Sequence, residues 1–380
     1  MKRTALTLLM VTLASSVATA GDRWLVYFGC YTNEKSGSKG IMVSAFDSAS
    51  GELGEPVLAA ETGDPSFLAL HPSGKFLYAV GEGAKAGGKG GAVSAFSVNR
   101  KDGKLSLINE VDSVGGGPCH ISLDHTGTMA MAANYGGGSV VSYQIKPDGA
   151  LKGPVSFIQH EGSGVDQGRQ KGPHGHSINP SPDNGYAFAC DLGLDKVLAY
   201  KIDPAAGTLT AHGSADLPPG SGPRHLAFHP AGKFVFVNNE MLMTVSTFSY
   251  SADSGSLSLV DTVSTLPPED QGKKGLSTAE TVAHPNGKVV YVSNRTHDTI
   301  AVFSCDPATG RLTLIQNAPA GGRIPRNFNL DPSGKWMIVA HQDSNTASVM
   351  KVDPESGELS STGRSIKVGG PVCVRFLEAE

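Results

Sequence analysis

Two interleaved turn motifs and a pair of unmatched chain ends predict an all-β chain. They specify a seven-bladed β-propeller of four-stranded antiparallel blades, closed by N- and C-terminal strands that share one blade. The first motif is a Pro-x-Gly turn opening an apolar run: "HPSGKFLYAV" from His71, "HPAGKFVFVN" from His229, "HPNGKVVYVS" from His284 and "DPSGKWMIVA" from Asp331, with looser copies at Asp124 and Ser181. The second is an extended run that ends in a turn of the type Asp-x-x-x-Gly-x-Leu. Its leucines are Leu53, Leu105, Leu151, Leu209, Leu257, Leu312 and Leu359, spaced 46 to 58 residues apart. A period of that size belongs to solenoids, propellers and arrays.

The elements follow in chain order. Lys2 and Arg3 precede the apolar run "ALTLLMVTLA", and "ATA" at Ala18 to Ala20 follows it. A basic start, a short apolar stretch and a small-x-small end predict a secretory signal peptide over residues 1–20. The run is too short and wrongly flanked to span a bilayer. The expected product is an exported protein, periplasmic or extracellular, with no membrane contact after cleavage and a propeller domain over residues 21–380. "RWLVYFGCYT" then reads as the second strand of a blade with no first strand before it; "KGIMVSAF" and "LGEPVLAA" supply the third and fourth. Within one period, "PSFLAL", "FLYAV", "GAVSAFSV" and "LSLINEV" are short runs of β-branched and aromatic residues separated by turn residues. These are strands a, b, c and d of a blade. The last run, "GPVCVRF", is a strand a with nothing after it. Six complete repeats plus one shared blade make seven, and the sharing removes a free sheet edge.

Composition agrees. Gly at 48 and Pro at 23 supply turns for many short strands rather than long helices. The formal net charge of −4 comes with no basic block, so no nucleic-acid partner is expected. Five cysteines, four of them inside apolar runs, predict buried free thiols and no disulfide framework. The sequence assigns no oligomeric state.

Direction places the site. The a–b and c–d turns are short and regular, so the opposite face carries the long irregular segments: "GEGAKAGGKGG" (Gly81 to Gly91), His160 to Ser177, Leu217 to His225 and Leu266 to Glu280. Function concentrates on such loops. Strand a begins on that face with Cys119-His120, His174-Gly175-His176, Arg224-His225, Glu280 and Arg326-Asn327. Strand b ends there with Glu82, Asn134-Tyr135, Asp191, Asn239-Glu240, Asn294-Arg295 and His341-Gln342. A channel mouth ringed by these residues suits a small anion. His174 and His176, two apart on a strand, would share a face, but no further ligands follow at metal-site spacing, so neither metal nor other cofactor is assigned. The glycine-rich stretches lack the strand–loop–helix frame of a phosphate loop.

"GCYT", "GDPSFLALHPSGKFLYAVGE", "HGHSINPSPDNGYAFACDLGLDKVLAYKID", "GPRHLAFHPAGKFVFVNNE" and "VSNRTHDTIAVF" resemble the seven-bladed propeller lactonase family over nearly the whole mature chain. That family includes a 6-phosphogluconolactonase and a 3-carboxy-cis,cis-muconate lactonizing enzyme. The resemblance implies a small anionic or sugar lactone as substrate and a catalytic set of His176, Arg224, Glu240 and Arg295. His174, Asp191, His225 and Glu280 are expected beside them as substrate-binding residues. Either Glu240 or His176 would activate water, and the arginines would bind an anionic group. Three readings stay open: a lactone hydrolase, a muconate-type cycloisomerase using the same site to close a ring, and a non-catalytic ligand-binding propeller.

Overall fold

The computed structural model describes residues 22–83 and 90–380. The expected signal peptide, and residues 84–89 of the glycine-rich b–c loop, lie outside the described residues. Seven antiparallel sheets form the seven expected blades. Blade 1 joins Pro371–Glu378 (a) to Arg23–Cys30 (b) and Gly40–Asp47 (c). Its register pairs Trp24 with Glu378, Val26 with Phe376 and Phe28 with Val374. Strand d of this blade is expected as one run but forms as two pieces, Glu52–Leu53 and Val57–Glu61, both paired with strand c. Pro56 lies in the gap and has no N–H for the ladder.

Blades 2 to 7 follow the chain, with strands a at Phe67–Leu70, Pro118–Leu123, Gly175–Pro180, Pro223–Phe228, Ser277–Ala283 and Pro325–Leu330. The a strands of successive blades touch around the axis. Strands b and c are almost wholly buried, whereas outer strands such as Leu151–Gln159 and Leu359–Lys367 are largely exposed. The cores lie between blades. One unites Leu25, Tyr27 and Val43 of blade 1 with Leu77, Val93 and Phe96 of blade 2.

The two turn motifs stitch each blade to the next. The histidine of "HPSGK" reaches the turn glycine of the following blade: His71 Nε2 to Gly127 O at 2.9 Å, His229 Nε2 to Gly287 O at 2.8 Å, His284 Nε2 to Gly334 O at 3.0 Å. The glycine of the c–d turn receives a tyrosine hydroxyl from the preceding blade: Tyr27 donates to Gly103 O, Tyr78 to Gly149 O and Tyr291 to Gly357 O at 2.8–3.0 Å. All five cysteines are buried and free.

Candidate active site

Strand a carries a register irregularity near its start in six of the seven blades, at its second residue in five of them. Pairing with strand b skips Val372, Cys119, His176, Arg224 and Arg326, and in blade 6 it slips across Ala279 and Glu280. A bulge leaves one residue unpaired and re-aims its side chain. Cys119, Arg224, Arg326 and Val372 consequently line one axial cleft, together with Tyr31, Ser66, Phe67, Glu82 and His225. Proline precedes the bulged residue in Pro118-Cys119, Pro223-Arg224, Pro325-Arg326 and Pro371-Val372.

Glu240, the residue after strand b of blade 5, is the anchor. Its Oε2 accepts from Arg224 Nε at 3.1 Å and pairs with Arg295 Nη2 at 3.0 Å; its Oε1 accepts from Arg169 Nη2 at 2.8 Å. Burial alone would raise its pKa. Arg295, Arg224 and Arg169 outweigh that and hold it at about 2. A carboxylate so stabilised is a poor proton acceptor. Arg295 also donates to Thr278 O at 3.0 Å, and its Nε is buried with no partner.

Three imidazoles cluster below. His225 lies 5.4 Å from His120 and 5.3 Å from His176, centroid to centroid. Burial first, then neighbouring positive groups, push all three pKa values well below the usual imidazole range, so each is neutral. His225 Nδ1 lies 2.9 Å from Glu280 Oε1, which also accepts from Thr281 N at 3.0 Å. Asn327 holds the other Glu280 oxygen. Burial raises the Glu280 pKa against the pull of Arg375 and Arg224. His176 Nδ1 faces Cys119 Sγ at 3.7 Å, and its Nε2 bonds to no described residue.

Chemically, this is a set of neutral imidazoles beside clustered guanidiniums, able to take a proton from water and to stabilise an oxyanion. Among the described residues no group of three or more His, Cys, Asp or Glu is placed to hold a metal.

The family description "Lactonase, 7-bladed beta-propeller" matches residues 25–376. The chain belongs to this lactonase family. It is 35% identical over 355 residues to the 6-phosphogluconolactonase of Bacillus subtilis (strain 168), covering 93% of this chain and 99% of that one. It is similar to a solved putative 6-phosphogluconolactonase from Bacteroides fragilis NCTC 9343, with TM-score 0.86 and 34% identity, covering 95% and 99% of the two chains. It is also similar to a solved Pseudomonas aeruginosa periplasmic gluconolactonase, with TM-score 0.87 and 33% identity, covering 94% and 100%.

Within this lactonase, His176, Arg224, Glu240, Arg295, His225 and Glu280 converge at the axis. His174 stands at its rim, stacked on Tyr135 at 4.6 Å with Nδ1 2.9 Å from the Tyr135 carbonyl. His174 and His176 both pack against the Tyr135 ring, His176 from the bulged position between Gly175 and Ser177. Asp191 does not reach the mouth. It accepts from the backbone N–H groups of His174 and Gly193 and meets His160 Nδ1 at 2.6 Å, while His160 Nε2 meets the Tyr200 hydroxyl at 2.8 Å. Asp191 is the last residue of strand b, where Asn134, Asn239 and Asn294 also turn into their blades. The residue one place later faces the mouth, as Tyr135, Glu240 and Arg295 do. The sequence reading passed over Arg169, which comes from the long loop before blade 4 and bonds both Glu240 and the Tyr135 hydroxyl at 3.1 Å. A lone arginine in a polar loop carries no periodic signal.

Proposed function

We propose that this chain hydrolyses the ring ester of a sugar or aldonic lactone of the 6-phosphogluconolactone type. The carrying observation is the neutral, buried His176, aimed at the axis by its bulge beside Arg224, with Nε2 uncommitted. His176 takes a proton from water as the water oxygen adds to the lactone carbonyl. Arg224 and Arg295, locked in place by Glu240, stabilise the oxyanion. Collapse of that adduct breaks the ring C–O bond, and the imidazolium returns the proton to the leaving alkoxide. The product is an open hydroxy acid, ionised at neutral pH.

The test is acid release from glucono-δ-lactone and from its 6-phosphate by the purified protein. His176→Asn is expected to lower kcat by about 10²- to 10⁴-fold with an unchanged thermal midpoint. Wild-type activity in the variant would remove His176 from the mechanism.

We also infer export. The amino-terminal pattern supports it, and one similar solved protein is described as periplasmic. Fractionation followed by amino-terminal sequencing is expected to find mature protein beginning at Gly21 outside the cytoplasm.

A further inference from the structure

The bulge ring carries two arginines, and only one is ion-paired. Arg224 is committed to Glu240. Arg326 holds the same position in blade 7, where Pro325-Arg326-Asn327 repeats the Pro223-Arg224-His225 pattern of blade 5. Among the described residues Arg326 makes no ion pair and no side-chain hydrogen bond. Its guanidinium carbon sits over the Tyr31 ring, 5.5 Å from the centroid.

Arg326, Arg224 and Ser66 line the same cleft, whose free space of about 10 Å³ admits about one water-sized atom. Ser66 Oγ is buried there without a hydrogen-bond partner. Arg169, Arg224 and Arg295 all share Glu240, whereas Glu82 is engaged by the Tyr31 hydroxyl at 3.2 Å. Arg326 bonds no carboxylate, although Tyr31, Glu82 and Glu240 lie near enough to hold its pKa up against burial. At Arg295, burial, with Arg224 and Arg326 nearby, outweighs Glu240 and brings its pKa down to about 9. The half-buried Arg326 guanidinium has donors that no described side chain fills, and its planar fork suits a phosphate or carboxylate.

We propose that Arg326, with Ser66 Oγ, forms a receptor for an oxyanion group carried by the substrate, distinct from the carbonyl that reacts. This rests on the lactone-hydrolase reading and assigns the substrate's charged end. The cleft is far smaller than the roughly 300–1,000 Å³ that encloses a whole small ligand, so one oxygen of the charged group enters it and the rest of the molecule stays in the open mouth.

The experiment compares wild type, Arg326→Gln, Arg326→Lys and Ser66→Ala on three lactones: glucono-δ-lactone, its 6-phosphate, and a glucarolactone that carries a free carboxylate. Arg326→Gln is expected to raise KM for an anionic lactone by about 10- to 100-fold, with kcat and the uncharged lactone changed less than about twofold. Arg326→Lys recovers part of the loss, and Ser66→Ala shows a smaller rise in the same direction. The anionic lactone that suffers names the group, phosphate or carboxylate. An equal loss on all three lactones, or no loss on either anionic one, overturns the receptor. Calorimetry with inorganic phosphate separates this from the reaction itself. Should wild type turn over no lactone, the hydrolase reading falls. The receptor still stands if phosphate binds wild type and not Arg326→Gln, and falls if the variant binds equally or wild type does not bind.

Discussion

At the scale of single residues, Glu240 decides how the mouth works. One carboxylate fixes three guanidiniums, so removing its charge releases all of them against one another. Glu240→Gln is expected to cost at least about 100-fold in kcat/KM, in the range of losing oxyanion donors, and to lower the thermal midpoint. The acid side gives a second check. Glu240 is held at about 2 in the folded chain against an ordinary 4.5, so its stabilisation is complete above pH 4.5 and drains away as pH falls towards 2. Melting curves of wild type and Glu240→Gln should therefore converge over that window. The buried histidines make the opposite kind of statement about rate. Their pKa values lie well below 6.5, so kcat/KM should hold steady from pH 8 down through 6.5 and fall only at lower pH. A fall centred near 6.5 would show that an ordinary exposed imidazole carries the proton. His176, Arg224, Glu240 and Arg295 were legible because each sits at a repeat-equivalent strand end. Asp191 was misread by a single place. Repeat alignment finds the strand end, but alternation decides which of two adjacent residues turns inward.

At the scale of elements, the turns carry more than the sequence announced. "HPSGK" reads as a turn because Pro presets φ and Gly accepts a positive one. That its histidine also bonds the next blade was hidden, since the partner is a backbone carbonyl 55 or so residues away, with no side-chain signature. His229→Ala should lose about 1 kcal/mol through the bond to Gly287. The c–d glycines are more demanding. Gly255 has φ of +64°, and a Cβ there would lie 2.2 Å from Tyr186 Cε1, so Gly255→Ala should destabilise by about 1–3 kcal/mol in denaturant titration. The bulges were also unread, although Pro followed by an outlying Cys, Arg or Val at the start of strand a marks four of them. Periodic hydrophobicity reports burial, and these residues are buried whether paired or skipped.

At the scale of the whole molecule, closure rests on Pro371–Glu378 lying along Arg23–Cys30. Both lone strands could be matched from the sequence because each end of the chain lacked what the other supplied. Deleting residues 371–380 would expose strand Arg23–Cys30 as a bare sheet edge. It should replace a single cooperative melt with a broad one and produce aggregates by size-exclusion chromatography. The same closure has a practical outcome. Arg23 starts its strand, and Glu378 ends its own, on the side of the short regular turns, where Glu380 N bonds the Arg100 carbonyl of a c–d turn. A surface linker or fusion partner joined at either of these strand ends would leave from the underside of the wheel, away from the path to Arg224 and His176.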